Sequence, residues 1–261
     1  MDELNKLLKN ISIAVKKAGK IILAARDFSV ENKLNAHDMV TQYDKYVQKV
    51  IYSILSKKYP QIKFIGEEEN LGQAINAYEG EVFIIDPIDG TFNFINGLNE
   101  SAISIAYVVD GVPTVGVVYN PYRRELFTAI KGRGAKCNGK KIKVNNLTLS
   151  QGIVGFGTAV YYDDLIAKTK KSFCDVLTKV NDLRRIGSAA LDICALAKGR
   201  FCAFYEMLLC PWDYAAGMVI LTEAGGFISD IEGKPLSLNE KSSVVAGNSL
   251  TYNELKDILN S

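Results

Sequence analysis

The feature that most constrains the fold of this chain is an apolar segment, residues 82–85, that runs directly into an acidic turn. The segment has the composition of a buried strand, and the proline and glycine that follow favour a turn after Asp86. Such a turn brings the carboxylates of Asp86 and Asp89 to face the same point. Two carboxylates on a rigid turn suit Mg²⁺, which prefers hard oxygen ligands and commonly shares its shell with a substrate phosphate. The alternative is an acidic surface turn whose aspartate caps a helix starting near Thr91.

Three further acidic segments each end an apolar run or begin a helical one, as a site with several metal ions would need. They are Asp-Met-Val-Thr-Gln-Tyr-Asp at 38–44, Ile-Gly-Glu-Glu-Glu at 65–69 and Cys-Pro-Trp-Asp-Tyr-Ala-Ala-Gly at 210–217. In this order and spacing, these segments and the turn resemble the inositol monophosphatase family of Mg²⁺-dependent, lithium-sensitive phosphatases. The resemblance covers nearly all 261 residues, and its longest motifs are Asp-Pro-Ile-Asp-Gly-Thr-Phe-Asn-Phe at 86–94 and Trp-Asp-Tyr-Ala-Ala-Gly at 212–217.

The resemblance implies a fold and a set of metal ligands. The fold is α/β (α+β), a layered αβαβα sandwich, which matches the expected order of helices and strands. Glu67, Asp86 and the main-chain carbonyl of Ile88 would hold one Mg²⁺, while Asp86, Asp89 and Asp213 would hold a second. Glu67 would also carry a third, weaker ion through water, which gives two or three Mg²⁺ ions per site. Taken alone, the glutamates of this segment are also compatible with a solvated acidic loop.

The same resemblance implies which side chains act on the reacting groups. Asp44 and Thr91 match the pair with which the family orients and deprotonates the attacking water, the Thr91 hydroxyl being the relay, and Glu67 completes the catalytic set. Gly90 and Thr91 lie at an expected helix start, where free backbone N–H groups bind phosphate oxygens. A purely structural role for Thr91 as a helix cap is the alternative.

Two other segments resemble the substrate contacts of the family. Glu206 stands seven residues before Asp213, as does the family glutamate that accepts hydrogen bonds from inositol hydroxyls, and this favours a polyol phosphate. The run 184–192 resembles the family segment whose backbone contacts the substrate ring near Ser188 and Ala189. One of its two arginines would reach a second phosphate, and the alternative is that at least one is an ordinary surface arginine. The predicted substrate-binding residues are Asp89, Gly90, Thr91, Arg185, Ser188, Ala189, Glu206 and Asp213.

Length and composition indicate the organisation of the chain. A length of 261 residues is near the upper limit for one hydrophobic core and predicts a single catalytic unit of two halves. Residues 1–150 would form an α+β half with most metal ligands, and residues 151–261 an α/β half with Asp213 and the substrate contacts. No apolar stretch reaches about 18 residues, so a transmembrane helix is not expected. The first residues are not those of a signal peptide, which predicts a cytoplasmic protein.

Charge, cysteines and histidine narrow the range of partners. The net charge of +2 gives no field that favours nucleic acid or a membrane. Residues 131–143 hold six basic side chains, but their glycines predict a hairpin, with an accessory anion-binding patch as the alternative. The five cysteines form no Cys-x-x-Cys pair and are typical of reduced thiols. His37 is the only histidine, which excludes centres built from several histidines.

Hydrophobic periodicity predicts the helices and strands. In the first half we expect a helix at 3–28, a polar loop at 29–40, a helix at 41–58 with Asp44 in its first turn, strands at 63–66 and 81–86, and an antiparallel meander at 101–109, 112–119 and 124–129. In the second half we expect strands at 153–157, 182–186, 201–205, 226–230 and 243–247, and helices at 162–179, 188–198, 213–224 and 250–259.

Other phosphatase chemistries fit the sequence less well. Residues 194–200 match the Cys-x5-Arg pattern of cysteine-dependent phosphatases, but their apolar residues have helical spacing. Aspartyl-phosphate enzymes use Asp-x-Asp, whereas Asp86 and Asp89 are three residues apart. The sequence Gly-Thr-Phe-Asn-Phe at 90–94 favours the inositol monophosphatase branch over 3′(2′),5′-bisphosphate nucleotidases, which stay as an alternative together with fructose-1,6-bisphosphatases and histidinol-phosphate phosphatases. A remote alternative is a non-catalytic regulatory or RNA-associated binding protein.

The sequence therefore predicts a Mg²⁺-dependent phosphomonoesterase that hydrolyses inositol 1-phosphate or a related sugar or polyol phosphate by direct attack of water activated by the metal. By resemblance, Li⁺ should inhibit it and the protein should be a homodimer, with the apolar meander 101–119 as a candidate interface. The expected partner is a small-molecule phosphate monoester, with no membrane and no nucleic acid.

Overall fold

The computed structural model describes residues 2–26, 30–32, 39–68, 76–159 and 162–261. His37 and Glu69 lie outside these ranges, as does much of the predicted loop at 29–40. The part of that loop that is described corrects the prediction, because β1 (Val30–Asn32) pairs antiparallel with β2 (Met39–Thr41). Each strand has three residues, which is too short for the alternation of apolar and polar residues that identifies a strand in a sequence.

Two helices from the first part of the chain form one outer layer. α1 (Glu3–Ala24) begins at Asp2, whose side chain accepts the N–H of Asn5 at 2.9 Å, and its apolar stripe packs against α2 (Gln42–Leu55). These are the helices predicted from the three-to-four spacing of apolar residues, and both end a few residues earlier than expected. Asp44 lies in the first turn of α2, as predicted.

A large mixed sheet forms the next layer. Its strands follow one another in chain order, and β4 runs parallel to β3 and antiparallel to β5. The strands are β3 (Lys63–Gly66), β4 (Glu81–Asp89), β5 (Ala102–Val109), β6 (Val112–Asn120), β7 (Glu125–Ile130), β8 (Ala135–Cys137) and β9 (Lys140–Lys141).

Both faces of this sheet are buried, which explains the continuous apolar run of β4. Phe83 and Ile85 pack with the α1 and α2 layer, while Val82 and Ile84 face the opposite side and join a second core, to which helices from the second half of the chain contribute. Because successive side chains of a strand alternate between faces, one strand contributes to two cores.

The second half of the chain forms three further layers. A five-stranded sheet has the order β11-β10-β12-β14-β13, and two helices lie between it and the first sheet while two others cover its outer face. The strands are β10 (Ile153–Phe156), β11 (Asp182–Arg184), β12 (Ala203–Leu209), β13 (Phe227–Ser229) and β14 (Ser242–Gly247). The helices are α5 (Ala189–Ala197) and α6 (Pro211–Glu223) between the sheets, and α4 (Asp163–Leu177) and α7 (Tyr252–Leu259) outside. The short helix α3 (Thr91–Ile95) belongs to the first half of the chain and follows β4.

This order confirms the predicted αβαβα sandwich. Every residue of α5 is buried, as expected for a helix that is enclosed on all sides between two sheets. Among the described residues, no helix has the length and apolar character needed to cross a membrane.

At three places the boundaries of the elements differ from the predicted ones. β4 does not end at Asp86 but continues to Asp89, with a register shift opposite β5 that accommodates Pro87. Glu206 lies within β12 rather than beyond its end, and α6 begins two residues earlier than predicted. The hairpin predicted within 131–143 is present, with both residues of its tight turn, Asn138 and Gly139, at positive φ.

Candidate active site

The irregular end of β4 sets the position of two carboxylates. After the register shift, Gly90 adopts a φ of +87°, and a Cβ there would lie 3.0 Å from the backbone oxygen of Gly187, so only glycine fits. The side chain of Asp86 accepts the N–H of Ile88 at 3.0 Å, which fixes the turn between the two aspartates. Asp86 and Asp89 are both buried.

A third carboxylate reaches the same place from the other half of the chain. Asp213, in the first turn of α6, accepts the N–H of Cys210 at 2.7 Å. Asp86, Asp89 and Asp213 each place one carboxylate oxygen within 4.8 Å of a carboxylate oxygen of the other two. Three carboxylates at this spacing can hold a hard divalent cation, which prefers oxygen ligands.

Asp89 is also tied to the start of α5. Its Oδ2 accepts hydrogen bonds from the Ser188 hydroxyl and, at 2.8 Å, from the N–H of Ala190. The Ser188 hydroxyl in turn accepts the N–H of Leu191 at 3.3 Å and so caps α5. The segment predicted to contact substrate is therefore connected directly to the acidic cluster.

The carboxylates resist ionisation in this environment. Burial raises the pKa of Asp86 and of Asp213 well above the ordinary value, and the neighbouring negative charges raise both further. Burial also raises the pKa of Asp89, to about 6, against the opposing effect of its hydrogen bonds to Ser188 and Ala190. Such a cluster is costly unless a cation compensates its charge.

Glu67 approaches the cluster from the end of β3. Its N–H donates to the carbonyl of Ile85 at 3.2 Å, and its carboxyl contacts that of Asp86, which contributes to the raised pKa of Asp86. The preceding Gly66 lies against Gln48, since a Cβ at Gly66 would be 2.3 Å from the Gln48 amide oxygen. The strand end is therefore packed closely on α2.

Asp44 and Thr91 are hydrogen-bonded to each other. The Thr91 hydroxyl lies 3.0 Å from Asp44 Oδ1 and 3.0 Å from the carbonyl oxygen of Ile88. The other oxygen of Asp44 accepts the hydroxyl of Thr41 at 2.6 Å and its N–H at 2.8 Å, which caps α2. Since the Thr91 hydroxyl has one hydrogen to donate to these acceptors, a lone pair of its oxygen remains able to accept a proton or hydrogen bond.

A cavity of about 440 Å³ opens beside the acidic cluster. Its wall brings together most of the predicted site residues, while Asp44 reaches it through Thr91. These residues are Glu67, Asp86, Ile88, Asp89, Gly90, Thr91, Arg185, Ser188, Ala189, Glu206 and Asp213. Of the two adjacent arginines, Arg185 lines the cavity, whereas Arg184 pairs with Asp182 at 2.5 Å.

Glu206, in β12, also lines the cavity. Burial raises its pKa to about 7, while the charge of Arg185 and the N–H of Ala159 lower it. A Cβ on Gly157 would lie 1.9 Å from the carboxyl carbon of Glu206, so the absence of a side chain at 157 makes room for this carboxylate.

Several residues at the cavity were not found from the sequence. Asn93 donates to the carbonyl of Ile186 at 2.8 Å and to that of Glu100 at 2.7 Å, and so connects α3 to the segment before α5. Asp192, buried in α5, also lines the cavity. The signal for Asp192 was present in the sequence, because it is the only charged residue in the otherwise apolar helix Ala189–Ala197.

The cysteine-phosphatase alternative is excluded by the surroundings of Cys194. The residue is fully buried inside α5 rather than in a phosphate-binding loop, and burial raises the pKa of its thiol. A reactive cysteine needs the opposite, an accessible thiol with a lowered pKa.

Comparison with known proteins gives consistent matches over nearly the whole chain. Residues 3–260 match the model of the inositol monophosphatase family. The chain is 37% identical to an inositol-1-monophosphatase of Rhizobium meliloti (strain 1021) over 262 residues, which cover 97% of this chain and 96% of that protein. It is 38% identical over 248 residues to a protein of Salmonella typhimurium (strain LT2) named Nus factor SuhB, covering 90% and 88%. Its fold is similar to a crystal structure of an IMPase/NADP phosphatase complexed with Mg²⁺ and phosphate, with a TM-score of 0.89, 27% identity, and coverage of 100% and 97%.

Proposed function

Because this chain belongs to the inositol monophosphatase family, we propose that it is a Mg²⁺-dependent phosphomonoesterase acting on inositol 1-phosphate or a related sugar or polyol phosphate. The observation that carries the proposal is the group of three carboxylates from Asp86, Asp89 and Asp213, within 4.8 Å, at the wall of a cavity large enough for such a substrate. Similarity to inositol-1-monophosphatases at 37% identity supports the same activity.

The donor set fits Mg²⁺. All candidate ligands offer oxygen, and they lack the nitrogen and sulfur donors that would favour zinc. We propose that Glu67, Asp86 and the carbonyl of Ile88 hold one ion, and that Asp86, Asp89 and Asp213 hold a second. A third, weaker ion at Glu67 is part of the same proposal. When bound, Mg²⁺ neutralises phosphate charge and lowers the pKa of water.

The protein's own residues would then orient the water that attacks phosphorus. The Thr91 oxygen can accept a proton from that water while its own hydrogen is directed to Asp44, 3.0 Å away. Asp44 is held in place by Thr41, so the pair is already aligned before substrate binds. Backbone N–H groups at Gly90 and Thr91 are proposed to bind phosphate oxygens.

The remainder of the substrate would lie against the other end of the cavity. Glu206 is proposed to accept hydrogen bonds from hydroxyl groups, and Ser188 and Ala189 to contact the ring through their backbone. Arg185 is the proposed contact for a second phosphate, which keeps fructose-1,6-bisphosphatase and 3′(2′),5′-bisphosphate nucleotidase activities as alternatives, with histidinol-phosphate phosphatase.

The test is phosphate release with Mg²⁺ from inositol 1-phosphate, fructose 1,6-bisphosphate, 3′,5′-adenosine bisphosphate and histidinol phosphate. Asp89→Asn serves as the inactive blank, and Asp182→Asn is a matched control because that aspartate is paired with Arg184 outside the cavity. A clear preference for one substrate would identify the activity. If the protein releases no more phosphate than the blank from each of the four substrates, the proposal is refuted.

A second candidate is a binding role without catalysis. It is favoured by the 38% identity to a relative named Nus factor SuhB. The hairpin β8–β9 exposes Lys136, Lys140 and Lys141 and is the candidate contact. All proposed metal ligands are present, however, which favours catalysis. A partner that binds Asp89→Asn as tightly as the active protein would show that binding is separate from phosphatase activity.

Four further properties belong to the same proposal. They are inhibition by Li⁺, assembly as a homodimer, a cytoplasmic location, and one catalytic unit, 1–261, with halves at 1–150 and 151–261. Light scattering at several protein concentrations tests the homodimer, and titration of phosphate release with LiCl tests the inhibition.

A further inference from the structure

Gln48 is a buried amide on the same face of α2 as Asp44. It is 7% exposed and lies four residues after Asp44, which places the two side chains one helical turn apart. This face of α2 is directed toward the site, because Asp44 accepts the hydroxyl of Thr91 at 3.0 Å. Burying an amide is costly unless it is hydrogen-bonded, so the partners of Gln48 indicate its role.

The amide of Gln48 contacts the backbone on both sides of Glu67. Its Oε1 accepts the N–H of Glu68 at 3.3 Å. A Cβ on Gly66 would lie 2.3 Å from the same oxygen and 2.8 Å from Nε2, so the missing side chain at 66 lets the amide approach the end of β3. The residue before Glu67 and the residue after it are therefore both packed on one side chain of α2.

Glu67 is held from two directions by these contacts. Its own N–H donates to the carbonyl of Ile85 at 3.2 Å, which ties it to β4 directly before Asp86. The pairing of β3 with β4 ends at Gly66, so the backbone at Glu67 depends also on the contacts of its neighbours with Gln48. Side chains that orient a metal ligand without touching the ion are a regular part of metal sites.

We propose that Gln48 is a positioning residue for Glu67, which it holds in the direction needed to bind Mg²⁺. A ligand that is already ordered binds an ion more tightly than one that has to be ordered when the ion arrives. The helix α2 then serves two parts of the reaction, because Asp44 aligns the hydroxyl of Thr91 and Gln48, one turn later, aligns a ligand. This inference rests on the proposed Mg²⁺-dependent function and concerns one of its ligands.

The test measures Mg²⁺ affinity from the rise of the urea-unfolding midpoint as Mg²⁺ is added to the protein without substrate. An ion that binds only the folded state raises this midpoint, and a more tightly bound ion does so at a lower concentration. Gln48→Met keeps the length of the side chain but removes the acceptor, and it should weaken Mg²⁺ binding roughly tenfold. The Mg²⁺ concentration for half-maximal phosphate release should rise by the same factor, while kcat at saturating Mg²⁺ stays within about twofold.

Asn10→Leu is the matched control. Asn10 is also an amide that is 7% exposed in the same helical layer, and its Nδ2 donates to the hydroxyl of Tyr59 at 2.7 Å. Neither Asn10 nor Tyr59 lines the cavity. Both substitutions remove a buried amide and should lower the midpoint measured with EDTA, but only Gln48→Met should change the affinity for Mg²⁺.

The comparison of the two variants decides the inference. A Mg²⁺ affinity of Gln48→Met within about twofold of the unmodified protein, or an equal loss of affinity in Asn10→Leu, overturns it. If Gln48→Met does not fold, Gly66→Ala displaces the same amide from the other side and must weaken Mg²⁺ binding in its place. If Mg²⁺ does not stabilise the unmodified protein, or if that protein releases phosphate from none of the four substrates, the proposed function fails instead.

Discussion

Replacing Asp89 by asparagine should stabilise the protein when Mg²⁺ is absent, although the same change should abolish activity. The pKa of Asp89 is raised from 3.8 to about 6 in the folded protein, mainly by burial. A folded pKa above the unfolded value means that the folded state holds the proton more tightly, so stability falls as the pH rises from about 4 to about 6. Above that range the ionised carboxylate costs about 3 kcal/mol of unfolding free energy.

The substitution removes this cost while keeping most contacts. The amide oxygen of asparagine can still accept from Ser188 and Ala190, and its N–H₂ group can donate to the carboxylates of Asp86 or Asp213. At pH 8 with EDTA we expect Asp89→Asn to gain about 1 to 3 kcal/mol. At pH 4 the gain should nearly vanish, because the carboxyl is then protonated in the folded state.

Urea unfolding at pH 4, 6 and 8, with EDTA or with Mg²⁺, measures these differences. Mg²⁺ should stabilise the unmodified protein more than Asp89→Asn, because a ligand that binds only the folded state adds stability. Asp182→Asn should match the unmodified protein throughout. The reasoning is refuted if Asp89→Asn is less stable than the unmodified protein at pH 8 with EDTA, or if its gain does not depend on pH.

Three other substitutions test separate parts of the site. Thr91→Ala should lower kcat about 100-fold or more with little change in KM, whereas Thr91→Ser should retain most activity, because only the hydroxyl relays the proton. Asn93→Ala leaves two partly buried carbonyls without their donor and should lower the urea-unfolding free energy by roughly 1 to 2 kcal/mol, with Asn96→Ala, whose amide serves one exposed carbonyl, as the comparison. Gly157→Ala should raise KM for inositol 1-phosphate but not for p-nitrophenyl phosphate, which has no ring hydroxyls for Glu206; equal effects on both would contradict the proposed role of Glu206.

The fold was largely predictable because its periodic patterns are long. The apolar spacing of α1 and the apolar run of β4 each match the face or faces that they bury. The acidic cluster was predictable for a related reason, since Asp86 and Asp89 belong to one contiguous motif. What the sequence could not provide was the bulge that extends β4 past Pro87, because its register depends on the partner strand β5.

Contacts between distant parts of the chain could not be predicted from the sequence, for a different reason. Asn93 holds the carbonyl of Ile186, 93 residues away, and no local pattern encodes that pairing. The proposed roles of the site residues themselves stay predictions, because geometry brings the side chains together without showing what they do to a substrate.

The acidic cluster and the surroundings of Glu206 depend on different kinds of residue, and this difference affects how substrate selectivity can change. At the metal end, the carboxylates of Asp86, Asp89 and Asp213 come from motifs whose loss would remove the proposed ligands altogether. Beside Glu206, the room for the carboxylate depends on the missing side chain at Gly157. A chain can therefore keep every proposed metal ligand and still change the surroundings of Glu206 through small substitutions that no metal motif reveals. Selectivity among phosphate esters should then be read from the neighbours of Glu206 rather than from the acidic turn.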